Sequence, residues 1–167
     1  MAPADSGDRP SAAVNEHLRA VEELCARPFP EEHGRDGALE SGPGHHLLVL
    51  RTSQDFWDDH DGEASRQAAA DQQVHLDALV VALADRWGEP TTVDLYHYLK
   101  KHFNGALVPE PINALCKLTT TMRLWPRTRT DRWLALAIGQ EDKELPIELL
   151  AAVGETRALR LSSAGKT

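Results

Sequence analysis

The sequence predicts an α+β domain. A mainly antiparallel β-sheet, with strands near 45–52, 117–125, 132–138 and 147–153, packs in two layers against a long helix over 64–87 and shorter helices. Three observations lead there. Leu76, Leu79, Val80, Leu83 and Trp87 recur at i, i+3, i+4, i+7 and i+11, one continuous helical stripe. Lys117–Trp125 alternates Leu118, Thr120, Met122 and Leu124 against Thr119, Thr121, Arg123 and Trp125, a period-two strand. Arg132–Val153, RWLALAIGQEDKELPIELLAAV, sets two apolar runs around an acidic turn, the pattern of a buried hairpin with a charged loop.

Taken in order, Val14, Leu18, Val21 and Cys25 form an apolar stripe opposite Glu16, Arg19 and Glu23. They predict a helix over 12–26, ended by Pro28 and Pro30. Residues 27–44 are rich in Pro, Gly and charge and read as loop with one strand near 38–40. HHLLVLRT at 45–52 is a short apolar run between Gly44 and Ser53, which favours a central strand. An acidic loop follows at 54–63. The long helix then ends where Gly88 supplies a C-cap and Pro90 forbids continuation. Residues 92–103 carry both patterns. Leu95, Leu99 and Phe103 suit a helix capped by Thr92, the preferred reading, while Val93, Leu95, His97 and Leu99 suit a strand. A short element at 112–115 leads into the late strands, where Ile147, Leu149, Ala151 and Val153 share one face.

A chain of 167 residues is expected to form one domain, here 12–153, between a disordered tail at 1–11 and a polar tail at 154–167. The net charge of −8 is unevenly spread. Residues 1–89 hold 18 acids and 7 bases; residues 90–167 hold 8 acids and 11 bases. An acidic surface repels phosphate, so general binding to nucleic acid or anionic lipid is disfavoured. No apolar run approaches the roughly 20 residues that span a bilayer. The opening MAPADSGDRPSAA is not a basic-then-apolar leader, so the expected setting is cytoplasmic, with Cys25 and Cys116 as free thiols.

No constellation carries chemistry strongly. The acidic loop with Asp55, Asp58, Asp59, Asp61 and Glu63 offers clustered oxygen but fails the calcium-loop spacing: with Gly62 at its sixth position, Trp57 and Ala68 would fill the first and twelfth. His45 and His46 point to opposite faces of a strand, and His97 and His102 lack the i, i+4 spacing of a zinc helix. Neither metal nor cofactor is expected. Cys25 lies on an apolar stripe; Cys116 has only Lys117 beside it to lower its pKa. Ser41–Gly44 precedes a strand, where a phosphate cradle must precede a helix. Arg123, Arg127, Arg129 and Arg132, interleaved with Trp125 and Trp133, form a basic-aromatic pattern. Glu141 and Glu144 are the pair to test as acid and base. Charged connections between strands are ordinarily just solvated.

WGEP (Trp87–Pro90), VPEP (Val108–Pro111), the Leu124–Trp125 pair and the Arg132–Val153 block together resemble an uncharacterised family of small actinobacterial, Streptomyces-type proteins. The resemblance covers about residues 40–155, with the last block the distinctive part. That family carries no established activity, so no site residue transfers from it. In size and charge the chain is also similar to small acidic immunity proteins.

The expectation is a non-catalytic, cytoplasmic protein-protein interaction domain. Its contact residues would be Trp57, Asp58, Asp59 and Asp61 of the acidic loop, with Gln140, Glu141, Asp142 and Glu144 of the late turn. The partner would present a basic surface. An immunity-type inhibitor of a basic toxin is the narrower alternative, and an enzyme using Glu141, Glu144 or Cys116 the competing class. An exposed sheet edge at 117–125 would also permit a homodimer.

Overall fold

The computed structural model describes residues 10–128 and 130–156. Among them run α1 (Pro10–Ala26), β1 (Gly34–Asp36), β2 (Leu39–Gly42), β3 (His45–Thr52), α2 (Glu63–Trp87), β4 (Thr91–Asp94), α3 (Tyr96–Phe103), α4 (Ile112–Leu118), β5 (Thr121–Trp125), β6 (Arg132–Gln140) and β7 (Ile147–Glu155). The strands form one sheet in the order β1-β2-β3-β7-β6-β5-β4, antiparallel at every junction. The α+β class, the antiparallel sheet and the long helix packed on it are as the sequence predicts.

The two last strands pair from Arg132↔Glu155 to Gln140↔Ile147 and sit at the centre. Leu134, Leu136, Leu149, Ala151 and Val153 face α1 and α2, whose Leu18, Val21, Leu76, Leu79 and Leu83 complete that core. Each fully buried Leu or Val there contributes about 1.5–3 kcal/mol. The opposite face is buried as well. Trp133, Ala135, Ala137, Leu150 and Ala152 lie under α3 and α4, with Leu95, Tyr98, Ile112 and Leu115. A sheet covered on both sides demands strands apolar at nearly every position. That is why these runs do not alternate.

Three segments differ from expectation. The strand predicted at 117–125 begins only at Thr121, because the spacing of Ile112, Leu115 and Cys116 carries a helix through Leu118. Its edge is not free, since β4 pairs along it from Thr91↔Leu124 to Asp94↔Thr121. The homodimer edge expected there is therefore covered. The ambiguous segment 92–103 uses both of its patterns, strand to Asp94 and helix from Tyr96, with the Asp94 Oδ1 accepting the Tyr96 amide at 2.8 Å. Thr92 is thus a strand residue rather than a cap. The single strand expected near 38–40 is a hairpin of β1 and β2 turning at Gly37, whose φ of 62° needs the freedom of glycine.

The first helix starts at Pro10 and the last strand runs to Glu155, each slightly beyond its predicted limit. The rest of both predicted tails lies outside the described residues.

Gln72 and His46, two polar side chains inside the fold, are paired. Gln72 is fully buried on α2; its Nε2 donates to the Ile147 carbonyl at 2.8 Å and to that of Arg51 at 3.2 Å. Its Oε1 accepts from Arg51 at 2.9 Å. His46 donates from Nε2 to the Arg27 carbonyl at 3.1 Å, so its Nδ1 accepts the Ser41 hydroxyl at 2.6 Å. Burial, outweighing that backbone contact, lowers the His46 pKa and keeps the ring neutral.

Two glycines let bulky groups approach the sheet. A Cβ on Gly154 would stand 2.6 Å from the Trp133 indole, and one on Gly139 would stand 3.1 Å from the Leu118 Cβ. Gly154→Ala therefore costs about 1–3 kcal/mol in urea denaturation. Gly34→Ala, which meets open space, changes stability by less than about 0.5 kcal/mol.

Candidate functional site

The loop after β3 and the turn between β6 and β7 are far apart in sequence but close at one end of the sheet. The Ser53 amide donates to the Ile147 carbonyl at 2.9 Å, and the Ile147 amide donates to the Ser53 hydroxyl at 2.9 Å. Three residues on, the Phe56 amide donates to the Glu144 carbonyl at 2.9 Å. The Phe56 ring is buried against Ala68 of α2 and Ile147 of β7. One acidic segment is thus fastened onto the other through main-chain bonds and an aromatic anchor.

Trp57 follows that anchor and points away from it. It is 60% exposed, whereas Trp125 and Trp133 are almost wholly buried. Beside it, Asp55 and Asp58 are exposed, and Glu141 and Asp142 are exposed across the junction. The only base on the turn is Lys143. The outcome is an acidic surface carrying one large amphipathic ring.

The predicted contact residues do not all serve alike. Asp59 accepts the Ala64 amide at 3.1 Å and the Ser65 amide at 3.0 Å, so it caps α2. Desolvation acts to raise its pKa, but the Ser65 and Ala64 amides prevail and hold the carboxyl below the usual carboxylate range. Asp61 accepts the Glu63 amide at 3.0 Å and also serves the helix start. Gln140 closes the turn, donating to the carbonyls of Leu145 at 2.9 Å and Lys143 at 3.3 Å. Asp142 accepts the Glu144 amide at 3.4 Å. Trp57, Asp58, Asp142 and Glu141 remain directed at solvent.

The pair proposed for acid-base work is rearranged. Glu141 stands near Glu148, a residue the sequence analysis did not single out. Burial, then the Glu141 charge, raises the Glu148 carboxyl above its ordinary value, while Arg35 acts in the opposite sense. Its signal was legible: Glu148 is the one charge in the otherwise apolar stretch Ile147–Val153.

The Cys116 thiol donates to the Asn113 carbonyl at 3.2 Å, and burial raises its pKa despite the neighbouring Lys117. Burial pushes Cys25 up to about 11. Neither is an activated nucleophile.

The basic-aromatic pattern is dismantled by folding. Trp125 faces the α1–α2 core and donates from Nε1 to the Gly88 carbonyl at 2.8 Å, whereas Trp133 enters the opposite core. Arg132 lies 3.9 Å from the Phe29 ring centroid and donates to the Arg27 carbonyl at 2.7 Å. Arg127 pairs with Asp131 at 2.7 Å. Arg129 lies outside the described residues. Neither tryptophan of that pattern is exposed to stack on a base.

His45 and His46 do fall on opposite faces, His46 against Phe29 and His45 near His33. Among the described residues no helix is long and apolar enough to cross a membrane. Comparison with protein-family models, curated proteins and solved structures gave no match.

Asp59 supplies the pH test of this end. A carboxyl held low in the folded state stabilises fully above its unfolded pKa, and that contribution is lost as pH falls through the folded value. Asp59→Ala therefore lowers the melting temperature most at neutral pH. The gap from the parent protein narrows on acidification in calorimetric scans.

Proposed function

We propose that this chain is a non-catalytic protein-binding domain that docks a basic surface of a partner protein on the end formed by 53–62 and 141–146. The observation carrying this reading is the junction itself. Trp57 stands exposed directly after the buried Phe56 anchor, in a segment fastened to the acidic turn, and Asp55, Asp58 and Glu141 are exposed on the two segments. An aromatic ring rimmed by polar groups is an efficient interface anchor. Carboxylates around it steer a basic partner and reject an acidic one. Main-chain fastening limits the ordering cost on binding, which favours affinity.

A cytoplasmic setting belongs to the same proposal and draws on two free thiols, both buried. So does membership among small actinobacterial proteins, which rests on the Arg132–Val153 block. An immunity-type inhibitor is the narrower version: an acidic loop already held in shape suits occlusion of a basic toxin surface.

Zero-length carboxyl-to-amine cross-linking of the full chain in extract of its source cells tests the reading. Cross-links from Asp55, Asp58, Glu141 and Asp142 to lysines of a single partner are expected. The yield from Glu141 and Asp142 falls at least about tenfold in a Trp57→Ala, Asp55→Lys, Asp58→Lys variant that melts normally. Cross-links scattered over the whole surface, or an undiminished yield in the variant, would contradict it.

A further inference from the structure

Beside the acidic end, on the α4 side of the sheet, lies an open groove of about 410 Å³. Its size is within the usual range for small-ligand sites. It exists because the cover on this face is incomplete. Helix α4 ends at Leu118, drawn close to the sheet by Gly139, and the β1–β2 hairpin rises on the other side. Between these walls Leu47, Val49 and Leu150 line an apolar floor, of which Val49 is the partly exposed member and the two leucines are edges of the core.

Strand register places the charges. Glu148 shares a face with Leu150 and Ala152, and these pair with Val49 and Leu47 of β3. The floor therefore runs about 13 Å from the Glu148 row to the Leu47 row. Glu148 stands at one end of it with Glu141 at the mouth. Glu148 is half-buried, yet its carboxylate accepts no hydrogen bond and forms no ion pair with any described residue. Among the described residues the one cation in the lining is Arg35, which already pairs with Glu40 at 3.5 Å. Three carboxylates thus face one guanidinium.

We infer that this groove is a binding site for a small organic cation, an ammonium or guanidinium group on an unbranched apolar stem. The cation seats between Glu148 and Glu141, and the stem lies along Leu150, Val49 and Leu47. Charge complementarity selects a cation. An unpaired, partly desolvated carboxylate beside a like charge is unfavourable, and a cation there relieves both terms. A carboxylate ligand meets the wrong charge, and a purely apolar one leaves Glu148 unpaired.

The inference does not rest on the protein-binding reading, although Glu141 borders both surfaces. Isothermal titration of the full chain with n-hexylammonium, hexanoate and hexan-1-ol at equal ionic strength tests it. Saturable binding is expected for the ammonium alone. Glu148→Gln weakens it at least about tenfold, and Ala114→Trp, which fills the groove, abolishes it. Trp57→Ala leaves it unchanged, which separates failure of this inference from failure of the protein-binding reading. Each variant is first shown to melt as the parent does. Absence of saturable binding, equal binding of all three probes, or ammonium binding that survives Glu148→Gln would overturn it.

Discussion

Burial of β6 and β7 on both faces is the constraint from which the rest of the molecule follows. Helices α1 and α2 cover one side, α3 and α4 the other, and β3 and β5 flank the pair within the sheet. An unpaired charge within either strand would have to be desolvated, at a cost of several kcal/mol. Charged groups are therefore pushed to the strand ends and the connections beyond them. Arg132 and Glu155 stand at one end, Glu141 and Glu148 at the other. Even the choice of Ala135, Ala137, Ala151 and Ala152 follows, since small side chains let helices settle on both sides.

At the second end, the hydrogen-bonding needs of the main chain determine what can be displayed. Strand β3 stops at Thr52 while β7 is only beginning, so the freed groups of Ser53 and Ile147 pair with one another. Gln72 reaches from α2 to the same Ile147 carbonyl and ties the helix in. Phe56 then finds its pocket, and Trp57, the next residue, is left outside. The display of Trp57 is thus a by-product of satisfying the backbone and burying its neighbour. The adjacent groove has a similar origin, since it lies where α4 ends before the sheet does.

The long helix, the hairpin of β6 and β7 and β3 were legible because their periodicity is local. The stripe from Leu76 to Trp87 needs no knowledge of its partner. What escaped depends on tertiary context. Leu150 and Ala152 read as neutral positions in a one-sided strand until α3 and α4 cover them. Thr119 and Thr121 look alike in sequence, but Thr119 ends a helix and Thr121 begins a strand. The hairpin turning at Asp36-Gly37 was a missed local signal, since Asp-Gly between short strands is a turn preference.

At the candidate site the acidic residues were visible, but not which of them are engaged. Asp58 and Asp59 are adjacent, and only the fold makes one a helix cap and leaves the other in solvent. Glu148 stands out in sequence as a lone charge, but its nearness to Glu141 depends on the fold.

Loop 53–62 and the β6–β7 turn are fastened together as one rigid unit. Amide hydrogen exchange, resolved by residue, tests that most directly. The Ser53 and Phe56 amides should be protected together with that of Ile147, orders of magnitude beyond their neighbours Gln54 and Trp57. Exchange of Ser53 and Phe56 at the rate of an open loop, with Ile147 still protected, would show two independent segments and remove the basis for a preformed surface.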